Sequence, residues 1–252
     1  MVLVNGSSGS ICLIVPCFNE ELRFKLEYWK AVLSIPGIYL VFVDDGSQDQ
    51  TSKVFNQLSS HENCEIITLE RNFGKANAIR HGMKQIMEGT RVDEYDVFGF
   101  LDADGAFNPS EIARFFNLLK SESLSTFASI WSSRVQLSGR NIERNKYRHY
   151  IGRLISSIIT FKRRYIAYDT QSGLKLFRKS EVLQSALSEP FLTRWFFDIE
   201  LFSRLTKMDP KFRVYEEPLD YWVDIKGSKI NWRQWLKILL EIKKIRRVLN
   251  GF

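Results

Sequence analysis

The segment "DVFGFLDADGAF", Asp96 to Phe107, decides how this chain is read. An apolar run of strand length ends in two carboxylates, Asp102 and Asp104, separated by one small residue. Directly behind them stands "NPSE". Asn108 suits a helix N-cap, Pro109 the first helical position, and Glu111 the acidic partner of a capping box. The segment therefore reads as a buried strand, a short acidic link and a helix. By itself the acidic link has two readings. It is either a polar βα turn or a divalent-metal site, in which the carboxylates share the ion with a substrate diphosphate.

The pattern repeats upstream in "ICLIVP" (11–16), "IYLVFVDD" (38–45) and "CEIITL" (64–69). Amphipathic, helix-length segments lie between these runs at about 20–34, 50–59 and 74–89. Strands apolar on both faces and separated by helices predict an α/β domain with a mostly parallel sheet built from βαβ units. Ligands of such sheets bind beyond the carboxyl ends of the strands. Asn19, Glu20, Asp44, Asp45, Asp102 and Asp104 all fall at those ends, so a single site is expected to collect them. No G-x-G-x-x-G follows the first strand; "VPCFNEE" stands there instead, which argues against a nicotinamide or flavin enzyme.

The 252 residues are 44% hydrophobic and 26% charged, an ordinary soluble composition with a formal charge of +7. The positive excess points to an anionic partner, and no nucleic-acid motif accompanies it. Three cysteines, Cys12, Cys17 and Cys64, lack metal-ligand spacing and predict a reduced, cytoplasmic chain. "MVLVNGSSGS" has neither the basic start nor the apolar run of a signal peptide and reads as a tail over residues 1–10. No stretch reaches the roughly 20 apolar residues of a membrane span.

The second half is more basic. Residues 140–164 hold eight Lys or Arg against one Glu, with Ile151, Leu154, Ile155 and Ile158 at helical spacing. The C-terminal stretch 232–249 aligns Trp232, Trp235, Ile238, Leu239, Ile242, Ile245 and Leu249, with Arg233, Lys237, Lys243, Lys244 and Arg247 off the stripe. Both suit helices lying on an anionic membrane surface. Packing on the sheet, or a face for a second copy of the chain, is the alternative for the 231–252 helix.

"VPCFNEE", "VFVDDGSQDQT", "RNFGKANAIRHGM", "FLDADGAFNPSEI", "DTQSGLKLFR", "WFFDIELF" and "EPLDYWVDIKGSKI" occur in this order. Together they resemble family 2 glycosyltransferases of the GT-A fold, especially the polyprenyl-phosphate and dolichyl-phosphate glucosyltransferase group, over about residues 10–245. The resemblance implies one Rossmann-like nucleotide-sugar-binding domain (11–230) and an inverting, metal-dependent sugar transfer. The donor is a nucleotide sugar, a UDP-sugar by preference. The acceptor is a polyprenyl phosphate or a saccharide carried on one, reached by a peripheral protein at the cytoplasmic face of the membrane. Extension of a cell-surface polysaccharide stays open beside it. A non-enzymatic binding module is the reading that the Asp102/Asp104 doublet and Asp198 count against.

The resemblance also assigns residues. Pro16, Phe18, Glu20 and Asp45 hold the nucleoside, Asp45 by accepting from a uracil-type N–H. Gly74 and Lys75 open a helix whose free N–H groups suit phosphate. Asp104 ligates Mg2+ or Mn2+, with Asp102 near the ribose or a metal-bound water. Asp198, then Glu200, is the candidate base. Arg134, Arg140, Arg144 and Arg148 suit acceptor phosphate, and Asp169, Gln171 and Lys175 belong to a loop near donor or acceptor.

Overall fold

The computed structural model describes residues 10–143, 167–223, 240–247 and 249. Seven strands form one sheet in the order β3-β2-β1-β4-β7-β5-β8. They are β1 (Ile11–Cys17), β2 (Ile38–Asp44), β3 (Cys64–Thr68), β4 (Val97–Leu101), β5 (Ser129–Ser133), β7 (Leu174–Arg178) and β8 (Val214–Pro218). A small ladder joins β6 (Asn141–Glu143) to β9 (Tyr221–Val223). The pairs β1–β2, β2–β3, β1–β4 and β5–β8 are parallel, and only β7 runs against its neighbours. The expected mostly parallel α/β sheet is what the chain forms.

The first four strands match the apolar runs because successive side chains must face opposite layers of core. In β1, Ile11, Leu13 and Val15 enter one core layer while Cys12 and Ile14 enter the other. The first layer packs beneath α1 (Leu26–Leu33) and α4 (Pro109–Lys120), with Trp29, Phe42, Phe55 and Phe115 fully buried in it. The second packs beneath α3 (Lys75–Glu88) and α6 (Phe197–Met208), joined by α5 (Glu181–Ala186). Each fully buried large apolar side chain contributes about 1.5–3 kcal/mol. The helix α2 (Thr51–Phe55) is one short turn shorter than its amphipathic pattern extends.

Asn108 caps α4 as expected, its Oδ1 accepting the Ser110 N–H. Glu111 does not close a capping box. It binds Arg114 and accepts the Asp220 N–H, tying α4 to the turn before β9. The C-terminal stretch is helical over 240–247, with Leu240 exposed and Ile245 buried, as is Leu249 beyond it. Glu241 shares the buried side, which the apolar stripe did not foretell. Among the described residues no helix is long and apolar enough to cross a membrane. Arg144, Arg148 and the apolar ladder of 151–158 lie outside the described residues, as do the tail up to residue 9 and Trp232 to Leu239.

Candidate active site

From β1 the chain winds outward through β2 to β3, then returns to place β4 on the other side of β1. The crevice of such a sheet lies where the winding reverses, beyond the carboxyl ends of β1 and β4. A cleft of about 330 Å³ opens there. It is lined by Pro16, Phe18, Glu20, Asp45, Lys75, Asp102 and Asp104, and also by Arg23 and Asn72. Seven residues singled out in the sequence thus meet in one place.

Each strand end supplies one wall. After β1 the chain turns through Asn19 at φ +53°, its N–H on Ser47 Oγ and its Oδ1 receiving the Gln48 N–H. That turn leaves Phe18 partly exposed and buries Glu20, whose Oε1 pairs with Arg23 at 2.6 Å. After β2, Asp44 accepts the Ser47 N–H and braces the turn. Asp45 accepts the N–H groups of Phe73 and Gly74, each at 2.7 Å. Burial raises the Asp45 pKa against the pull of those two amides. Its first task is therefore to fix the loop into α3, a role the sequence reading had not separated from nucleobase contact.

That loop delivers Gly74 at φ +87°, and a Cβ there would stand 2.8 Å from Arg194 Nε. Only glycine meets both conditions. Lys75 begins α3, and its Nζ lies 2.5 Å from Asp102 Oδ1. Burial alone would lower the Lys75 pKa, yet Asp102, Asp198 and Asp104 outweigh it and hold the ammonium above its ordinary value. Free N–H groups at the start of a 14-residue helix, beside a cation, are an arrangement suited to phosphate.

Asp102 leaves β4 with its N–H on Gly173 O. A Cβ on Gly173 would stand 2.3 Å from Asp102 Oδ2, so the "SG" of "DTQSGLK" is the space that the Asp102 carboxylate fills. Asp104 Oδ1 accepts the Ala106 N–H at 3.1 Å. Burial and the neighbouring Asp102 charge both raise the Asp104 pKa. Glu20 Oε2 is a buried carboxylate oxygen that accepts no hydrogen bond, and Asp102 Oδ1 is buried against the Lys75 ammonium. Crowded acids with such oxygens fit a hard divalent cation. Among the described residues no group of three acidic, His or Cys side chains gathers to hold a metal alone. A cation held by Asp104 and Asp102, taking its other ligands from phosphate and water, suits that donor set.

The remaining candidates are placed differently from expectation. Asp198 is buried, with Oδ1 2.6 Å from Lys175 Nζ, and does not line the cleft. Burial raises the Asp198 pKa and lowers that of Lys175. A base must reach the proton it takes, and this carboxylate is engaged by a buried ammonium instead. Lys175 itself has no exposed surface and also donates to Ser172 O, so it is not open to an acceptor phosphate. Glu200 is fully buried and accepts from the Leu192 and Thr193 amides, the Thr193 hydroxyl and Arg204. It is a loop brace. Arg134 forms a two-pronged pair with Asp169, at 2.7 and 2.8 Å, and stacks over Trp222. Arg140 pairs with Asp220, and Gln171 donates to Trp195 O.

Three residues near the cleft were not singled out in the sequence: Arg23, Asn72 and Arg194. Asn72 stood inside the quoted "RNFGK" block, and Arg194 immediately precedes "WFFD". Their proximity comes only from folding, since Arg194 Nη2 reaches Asn72 Oδ1 at 3.3 Å across 122 residues.

A family model described as glycosyl transferase family 2 matches residues 12–183, more than half of the chain. The chain belongs to glycosyl transferase family 2. This family 2 member is 29% identical to dolichyl-phosphate beta-glucosyltransferase of Homo sapiens, over 98% of this chain and 78% of the human one. The Saccharomyces cerevisiae protein of that name is 26% identical, over 87% of this chain and 69% of its own. Among solved structures, glucosyl-3-phosphoglycerate synthase of Mycobacterium tuberculosis, in complex with Mn2+, UDP and phosphoglyceric acid, aligns with a TM-score of 0.67. That match covers 97% of this chain and 79% of the other at 14% identity, a likeness of fold. The matched family region contains the whole carboxylate wall and Lys75.

Proposed function

We infer that this family 2 glycosyltransferase moves a hexose, glucose by preference, from a UDP-sugar to the phosphate of a polyprenyl-phosphate carrier. The observation that carries the acceptor is the state of the two candidate bases. Asp198 is locked on Lys175, and Glu200 is spent on a loop. A sugar hydroxyl attacks poorly without a base. A phosphate monoester needs none, because its second pKa of about 6 leaves it mostly dianionic near neutral pH. Relatives named for a dolichyl-phosphate acceptor, matched over nearly the whole chain, support the same reading.

The residues then divide the work. Lys75 and the α3 N-terminus bind the diphosphate, while Pro16, Phe18 and Asp45 border the nucleoside. Asp104 and Asp102 hold a divalent cation, Mg2+ or Mn2+. When bound, that cation offsets the negative charge developing on the leaving diphosphate. An acceptor phosphate oxygen attacks the anomeric carbon in line, the bond from that carbon to the UDP oxygen breaks, and the centre inverts. No proton needs to move. The basic stretch 140–164, with Arg144 and Arg148, supplies cations for the acceptor phosphate and a foothold on an anionic leaflet, at the cytoplasmic face of a membrane.

The test is radiolabelled UDP-glucose with purified protein and polyprenyl phosphate in detergent or vesicles, with and without EDTA. Transfer to the lipid phosphate that stops with EDTA and returns with Mn2+ is the expected result. Transfer only to a lipid-linked saccharide, or turnover indifferent to EDTA, would overturn the acceptor or the metal assignment respectively.

A further inference from the structure

The loop between α5 and α6 has no regular structure, yet five consecutive backbone N–H groups in it are bound by side chains from three elements. Asn77 of α3 takes Phe191 N–H, and Glu200 of α6 takes those of Leu192 and Thr193. Glu241 of the C-terminal helix takes Arg194 N–H at 3.0 Å and Trp195 N–H at 2.7 Å. Glu241 is buried, on the same side of its helix as Ile245 and Leu249. An acid on the buried side of a helix is stabilised only by partners of this kind. A hydrophobic residue would have anchored the helix without them, so the acid serves the loop.

What the clasp delivers is Arg194. Its backbone is held by Glu241, while its guanidinium sits beside Gly74 and donates to Asn72, a residue of the cleft wall. It also lies close enough to Asp45 to pull that carboxyl's pKa down. Arg194 therefore stands at the start of α3, next to Lys75, where the helix offers its free N–H groups.

We propose that Glu241 is a positioning residue for the donor site: by holding the amides of Arg194 and Trp195 it seats the Arg194 guanidinium against the donor diphosphate. The proposal rests on the UDP-sugar reading of the cleft. It makes the C-terminal helix part of the donor site, so that detaching the helix lowers donor affinity without removing any group lining the cleft. Loss of the clasp leaves Asn77 and Glu200 in place, and the loop loosens at its Arg194 end alone.

Full-length protein, titrated with UDP in the presence of Mn2+, reads this directly by calorimetry. Arg194→Ala weakens UDP binding about 10-fold, the scale of one charge-assisted hydrogen bond. Glu241→Gln keeps the shape but removes the charge and turns one of the two oxygens that share the Arg194 N–H into an N–H₂, and weakens UDP about 3- to 10-fold by the same principle. The double variant binds no more weakly than Arg194→Ala alone, because Glu241 acts through Arg194. Amide exchange quickens at residues 194 and 195 in Glu241→Gln and stays slow at 191–193. If Glu241→Gln fails to fold, Glu241→Asp, which keeps the charge and shortens the reach, carries the same non-additivity. The proposal is overturned if Glu241→Gln binds UDP like wild type while the two amides exchange freely, or if the two losses add in full. Wild type that binds no UDP overturns the donor reading first, and this proposal with it.

Discussion

Replacing Asp198 by Asn removes one partner of an ion pair that has almost no contact with water. The Lys175 side chain is 0% exposed and the Asp198 side chain 7%. Their atoms lie 2.6 Å apart, with the rings of Phe100 and Trp131 about the ammonium. Breaking a buried pair from one side costs about 3–5 kcal/mol, because a charge remains without its partner. At roughly 2–4 °C per kcal/mol for a domain of this size, the melting point of Asp198→Asn should fall by about 6–20 °C. The sign with pH follows from Lys175, whose folded pKa lies below its ordinary value because of burial. A depressed folded pKa binds fewer protons than the unfolded chain, so stability falls as pH drops. Without Asp198 that depression deepens, and the deficit against wild type widens from about pH 10 to pH 7. Lys175→Met with Asp198→Val removes both charges and should recover most of the stability. It should not recover turnover, because Asp198 is also one of the carboxylates that keep Lys75 charged. Urea unfolding followed by tryptophan fluorescence, paired with a transfer assay, measures both. An Asp198→Asn variant within about 1 kcal/mol of wild type, or a charge-free double variant with full turnover, would refute the reasoning.

Gly173→Ala forces a Cβ onto the Asp102 carboxylate, 2.3 Å from Oδ2, so Asp102 must turn away from Lys75. Turnover should fall about 100-fold, the usual scale of a 1 Å misplacement, and a fully active variant would show that the Asp102 orientation is immaterial. Glu200→Gln sets an amide among four donors at a fully buried position and should destabilise the protein by about 3 kcal/mol. Unchanged urea unfolding would mean that the 192–193 loop is held by something else.

The strands that carry the site were legible because their residues serve two core layers at once. "ICLIVP" and "IYLVFV" have no polar face to lose, and nothing but a buried strand explains them. β7 was hidden for the opposite reason: "LKLFR" contains two cations, and Lys175 is tolerated in the sheet because Asp198 meets it from α6 and Ser172 O accepts beside it. β5, "SIWSS", is likewise polar in sequence, with Ser129 satisfied inside by Leu176 O and Ser132 by Leu174 O and Ser172. The site residues at strand ends were legible through topology, which fixes where loops gather without knowing their contacts. Partners were not. No periodicity tells that Asp169 will occupy Arg134 or that Glu241 will reach Arg194 over 47 residues, and a motif names a residue without naming what faces it.

The corrections at Asp198 and Lys175 share one cause, the balance of charge around Lys75. Asp104, Asp102 and Asp198 surround two cations, Lys75 and Lys175, and all five groups act on the Lys75 and Asp198 titrations or on each other. Three acids against two bases leave the cluster one negative charge, a poor host for a diphosphate by Coulomb's law at such distances. A divalent cation would reverse that sign, so on the proposed reading the carboxylate wall attracts the donor only with the cation in place. The same balance explains why Asp198 is not free to be a base. Removing its charge from the cluster, by proton or by mutation, leaves Lys175 buried without its ion-pair partner, and Asp102 and Asp104 must then hold Lys75. An acceptor that brings its own negative charge would spare the cluster that demand, which is in keeping with the phosphate acceptor proposed above.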